Sequence, residues 1–169
     1  MNVVILPHKG VVINSSFIEL GTDIKKLKIN NNIEKHDNMY YLYDSNLQIE
    51  TENNIICLIT CCIDRNSIII PIINGKSLFR SESDEVIEIL NETLKENGVS
   101  TEEEHAYIWS GSDVCCWKEV TSDEVEELII ESKEDGIYQE MKADIEHDIN
   151  KSKYFDTISI GKRGYYDNY

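Results

Sequence analysis

The sequence predicts an α+β domain spanning residues 1–169, in which a mainly antiparallel mixed sheet carries two or three amphipathic helices packed on one face. Three observations lead there. Residues 1–80 consist of short apolar runs broken by Asn, Asp and Gly turns. The phrase Ser-Asp-Glu-Val opens an amphipathic stretch at 83 and again at 122. A chain of 169 residues with no linker-like composition suits one domain.

Taken in order, VVILP and VVINSSFIEL predict a first β-rich stretch, punctuated by Pro7 and Gly10. ELGTDIKKLKI predicts a short helix, with Thr22 as cap, Asp23 in the first turn and Ile24 and Leu27 on one side. NNNIEKHDN reads as a polar loop. MYYLYDSNLQIETENNIICLITCCI predicts an antiparallel meander, turning at Asp44-Ser45-Asn46 and at Glu52-Asn53-Asn54. Its third strand, Ile55 to Ile63, is apolar throughout and is expected to be buried on both faces. SIIIPII follows the turn Asp64-Arg65-Asn66. Pro71 lacks a ladder donor and so places this strand at an edge or near its end.

Beyond residue 80 the texture changes. SESDEVIEILNETLKENG predicts a helix capped by Ser83, with Val86, Ile89, Leu90 and Leu94 on its apolar face and Gly98 as its stop. STEEEH reads as loop, and AYIWS and VCCWKEV as two strands around Gly111. TSDEVEELIIESKEDG predicts a second helix with Ser122 as cap, an apolar face of Val125, Leu128 and Ile129, and Gly136 as stop. A third helix is expected through IYQEMKADIEHDINKSKYF, with Ile137, Met141, Ile145 and Ile149 at four-residue spacing. FDTISIGKRGYYDNY predicts a final strand, a Gly turn and an aromatic tail.

Charge divides the chain more sharply than structure does. Residues 1–80, the β-rich half, hold eight basic and eight acidic side chains. Residues 81–148 hold four basic and 22 acidic ones, and residues 149–169 four basic and two acidic, so 81–169 is a strongly acidic α/β half. The net charge of −16 disfavours nucleic acid as a partner, because phosphate contacts need clustered Lys and Arg. No apolar run approaches the ~18 residues of a membrane span, and MNVVILPHKG lacks the features of a signal peptide, so a cytoplasmic protein without membrane contact is expected. Five cysteines without a C-x-x-C pair fit a reducing compartment and inert buried thiols.

No catalytic, metal or cofactor motif stands out. His8, His36, His105 and His147 lie in no nucleophile or H-E-x-x-H pattern, and Gly161-Lys162-Arg163-Gly164 lacks the strand–loop–helix of a phosphate loop. No catalytic residue, metal ligand or cofactor is therefore expected. Trp109 and Trp117 flank a Gly-Ser-Asp turn inside the acidic half. Such aromatics either fill the core or anchor an interface beside charge that steers a partner.

The order of the phrases IELGTDIKKL, MYYLYDSNLQIE, IICLI, IIPIINGKSLF, DEVIEIL and KYFDTISIGKRGYYD resembles small acidic bacterial proteins encoded beside polymorphic or contact-dependent-inhibition toxins. That resemblance implies an immunity protein, which binds a cognate basic toxin domain and blocks it without chemistry of its own. With the charge layout it predicts a nuclease as the toxin, since a nuclease must present a positive surface to phosphates. Glu102, Glu103, Glu104, Asp113, Asp123, Glu124, Glu126 and Glu127 are the expected steering residues, and Trp109 and Trp117 the anchors. The alternatives are a small ligand- or protein-binding domain whose acidity serves solubility, and an enzyme using carboxylates as acid and base. The enzyme requires a concave pocket holding a carboxylate of raised pKa.

Overall fold

The computed structural model describes residues 1–27, 33–63, 67–101 and 105–167. Its strands in chain order are β1 (Asn2–Leu6), β2 (Gly10–Ile13), β3 (Ser16–Glu19), β4 (Ile33–His36), β5 (Met39–Leu42), β6 (Leu47–Glu52), β7 (Ile55–Cys62), β8 (Ile70–Ile73), β9 (Lys76–Ser77), β10 (Val99–Ser100), β11 (Ala106–Trp109), β12 (Val114–Trp117) and β13 (Thr157–Gly161). The helices are α1 (Ser83–Leu94), α2 (Ser122–Glu134) and α3 (Tyr138–Lys151).

The fold is α+β, and its strands form two sheets where the sequence suggested one. The order is β3-β2-β1-β8-β9 in the first and β10-β11-β12-β13-β7-β6-β5-β4 in the second. Antiparallel ladders dominate, and β1 with β8 forms the parallel pair among the described strands. Pro71 sits where its chemistry allows. Its carbonyl accepts from Leu78 N–H on the β9 side, so its missing donor faces the side on which that short edge ladder ends.

One core joins the two sheets. Val3, Ile5, Val11, Ile13, Ile18 and Ile73 from the first meet Leu42, Leu47, Ile49, Ile59, Val114, Ile158 and Ile160 from the second, with Val86 and Leu90 of α1 closing it. The meander β5-β6-β7 forms as its turns predict, but β7 is buried on one face only. Ile56, Ile59 and Cys61 join the core, while Leu58, Thr60 and Cys62 are half-buried. The segment read as polar loop contains β4, which pairs with β5 as an exposed edge strand. Its polar composition hides it, because an edge strand has little apolar surface to bury.

Ser83 and Ser122, the expected caps of α1 and α2, each lie one residue inside the helix, after Glu82 and Thr121. Thr121, not Ser122, caps α2: its hydroxyl accepts from Glu124 N–H, and Glu124 reaches back to Thr121 N–H at 2.8 Å. Ser83 is buried and donates its hydroxyl to Lys153 C=O at 3.1 Å, while α1 ends on Lys95 in the left-handed conformation instead of on Gly98. At the expected first helix, Asp23 caps a single 3₁₀ turn and Thr22 bonds back to Glu19 C=O.

Gly98 serves packing. A Cβ there would lie 2.6 Å from the Trp109 ring, whose Nε1 donates to Asn91 Oδ1 at 2.8 Å. Asn91 Oδ1 also accepts from Gly98 N–H at 3.0 Å, so α1, residue 98 and the indole form one bonded unit. Gly98→Ala is expected to cost about 1–3 kcal/mol by overpacking, read as a lower urea midpoint with an unchanged m-value.

The α2–α3 pair is a helical hairpin inserted between the adjacent strands β12 and β13, and it lies outside the core described above. Val125, Ser132 and Ile145 are its buried residues, whereas Ile130 and Ile137 are exposed. Residues 122–151 carry 11 acidic and three basic side chains. Among the described residues, α1 alone of the three helices contributes to this core.

None of the five cysteines forms a disulfide. Burial pushes the thiols of Cys57, Cys61, Cys115 and Cys116 up, Cys115 to about 11. A thiol whose folded pKa is raised contributes stability below its unfolded pKa and loses it as pH climbs toward the folded value. The urea midpoint is thus expected to fall between about pH 9 and pH 11, and a flat profile there would contradict buried thiols.

Candidate partner-binding face

Trp117 ends β12 with 41% of its surface exposed, on the sheet face away from Cys116 and the core. His105 lies beside it, the ring centroids 6.5 Å apart and the planes 23° from parallel. Both imidazole nitrogens have partners: Nδ1 faces Lys118 C=O at 3.0 Å and Nε2 faces Glu124 Oε1 at 3.3 Å. Glu124 is held in turn by the α2 cap. The Thr121 N–H at its carboxylate, then the Thr121 hydroxyl and His105, keep its pKa below the usual range. The indole thus stacks on an imidazole that is itself held at the first turn of an acidic helix. Asp123, Glu126 and Glu127 extend from that turn as exposed carboxylates.

The structure divides the expected site residues. Trp117, Asp123, Glu124, Glu126 and Glu127 come together around the start of α2. Trp109 is fully buried and bonded to Asn91, so it is a core residue and not an anchor. Asp113 is 1% exposed, so it is not a steering charge. It adopts a left-handed backbone conformation at the β11–β12 turn, where its carboxylate accepts from Gly164 N–H at 2.9 Å and Tyr166 N–H at 3.2 Å and meets His8 Nδ1 at 3.1 Å. Glu102, Glu103 and Glu104 lie outside the described residues. His105 was missed as part of this face. Its signal was its place opposite Lys118 across a predicted hairpin, which brings it to the end of strand β12.

A second feature is an open cleft of about 410 Å³ where β7 carries an extra residue, Cys57, opposite Glu50 and Thr51 of β6, and the chain passes into its C-terminal segment. Asn38, Glu50, Glu52, Cys57, Lys162 and Tyr165 line it. Lys162 donates to Glu52 at 2.7 Å, and Tyr165 hydroxyl to Glu50 at 3.1 Å. The Lys162 hydrogen bond and charge pull Glu52 below the usual carboxylate range, Glu52 raises Lys162, and burial raises Cys57. Each shift moves its group away from neutral pH, the opposite of what a general acid, base or nucleophile requires.

Among the described residues, no group of three or more His, Cys, Asp or Glu converges as metal ligands would, and no helix is long and apolar enough to cross a membrane. No family model, curated protein or solved structure matches this chain.

Proposed function

We propose that this chain is an immunity-type inhibitor acting in the cytoplasm, which binds a cognate basic toxin domain, a nuclease, and occludes its substrate surface. The observation that carries the reading is an exposed Trp117, stacked on His105 beside the start of a helical hairpin with 11 acidic and three basic residues. Charge on α2 and α3 raises the association rate of a basic partner. The indole then supplies the desolvated contact that slows dissociation. The inhibitor does no chemistry: it competes with phosphates for the same positive surface.

The test is capture of partners from the native host, or of the product of the adjacent gene, on immobilised protein at low and high salt. The expected result is a basic nucleic-acid-cleaving protein, retained better at low salt and inactive while bound. Retention of nothing at either salt contradicts the proposal. A second reading, a small ligand-binding domain without enzymatic activity, is favoured by the cleft beside Glu50 and Lys162. It predicts thermal stabilisation by a small zwitterionic compound and no such protein partner.

A further inference from the structure

His105 stands where the β11–β12 hairpin meets α2. Its backbone C=O accepts from Lys118 N–H at 2.9 Å, which closes the open end of that hairpin. Its ring then reaches from the hairpin to the helix. Nδ1 lies 3.0 Å from Lys118 C=O, and Nε2 lies 3.3 Å from Glu124 Oε1. Both neighbours are acceptors. A neutral imidazole has one N–H and one lone pair, so it serves one of them. An imidazolium has two N–H groups and serves both. Among the described residues no other imidazole stands between two acceptors. His8 meets Asp113 through Nδ1, His36 lies edge-on to the Tyr41 ring, and His147 is exposed on α3.

We propose that His105 is a proton-operated clamp: charged, it ties the end of β12 that carries Trp117 to the first turn of α2, and on losing its proton it releases α2. The nearer acceptor, Lys118 C=O, keeps the remaining N–H. The lone pair then falls on Nε2, facing a carboxylate, and that contact opens.

The other charged groups around the ring hold their state. The Thr121 N–H, then the Thr121 hydroxyl and His105 itself, keep the Glu124 carboxyl below the usual range. Lys118 turns its ammonium away, to Ser152 C=O at 3.4 Å. Asp123 stands exposed on the same turn of α2. Between about pH 5 and 8 the imidazole is therefore the group that changes charge there. The clamp is made at the low end of that range and undone as pH rises through it. The ring that leaves Glu124 is the one stacked on the indole, so the Trp117 face has two settings. On the inhibitor reading, on which this consequence alone rests, a partner meets a fixed indole in mildly acidic solution and a looser one above neutrality.

The test uses the free chain. It holds two tryptophans, so its NMR spectrum has two indole N–H signals. Over about pH 5 to 8, the Trp117 indole and the Thr121 amide are expected to move together in one step with a single midpoint. The amide follows because Thr121 N–H rests on Glu124 Oε2 at 2.8 Å. The Trp109 indole, buried and bonded to Asn91, stays in place. The His105 ring protons titrate at the same midpoint, which ties the step to this residue without a variant. His105→Gln abolishes both steps, its unmoved Trp109 signal reporting an intact fold, and His147→Gln leaves both. A Trp117 or Thr121 signal that stays flat overturns the proposal. So do midpoints that differ, or steps that persist in His105→Gln. Capture of no basic partner would end the inhibitor reading and leave this result standing.

Discussion

Asp113→Ala is expected to destabilise the fold by about 3 kcal/mol, the largest loss foreseen for one side chain. The carboxylate ties three distant pieces together: the β11–β12 turn, the C-terminal segment through Gly164 and Tyr166, and the β1–β2 turn through His8. Alanine leaves two backbone N–H groups unpaired, one of them buried, and strains a backbone with φ of 51° that Asp tolerates better. At ~2–4 °C per kcal/mol for a domain of this size, the melting temperature should fall by about 6–12 °C. Amide exchange should quicken first at Gly164 and Tyr166. Asp113→Asn, which keeps one acceptor oxygen and the backbone preference, should lose about half as much. An unchanged melting temperature for the alanine variant would show that the C-terminal segment is held elsewhere.

Trp117→Ala should weaken binding of the captured basic partner by about 2 kcal/mol, roughly 30-fold, mostly through faster dissociation. Folding stability should barely move, since the indole lies outside the core. Reversing Asp123, Glu126 and Glu127 to lysine should act on the other rate. Association slows and its dependence on salt flattens, while dissociation changes little. The three carboxylates are exposed. If Trp117→Ala left the dissociation rate untouched, the anchor would lie elsewhere on the hairpin.

The contrast between the two tryptophans shows what the sequence could and could not convey. They are eight positions apart, each at the end of a strand next to acidic residues, and composition treats them alike. Strand alternation separates them, but only once register is known. Trp109 pairs with Val114 and shares the inward side with Cys116, whereas Trp117 shares the outward side with Cys115. The same holds for Asp113, which looks like a surface charge in an acidic stretch. Its role depends on Gly164 and Tyr166, some fifty residues away, and no local pattern carries that information.

Periodicity did convey the meander, the three helices and the strand at 157–161, because each buries one apolar side at regular spacing. The caps of α2 and of the 3₁₀ turn fell one residue from their expected places, since neighbouring Ser, Thr and Asp offer the same chemistry and only backbone geometry selects between them. The division into two sheets was not legible. It follows from β1 pairing in parallel with β8, nearly seventy residues on, while β7 turns to β13. The acidic character of 122–151 was plain from composition; that this segment is a helical hairpin joining two neighbouring strands was not.

The central claim is that the acidic hairpin and Trp117 hold a basic nuclease inactive. Titrating the captured partner's nuclease activity with this chain, and timing association at low and high salt, tests it most directly. Activity should fall to zero at one equivalent, and the association rate should drop steeply as salt rises. Full nuclease activity in the presence of excess inhibitor, or an association rate indifferent to salt, would contradict the account.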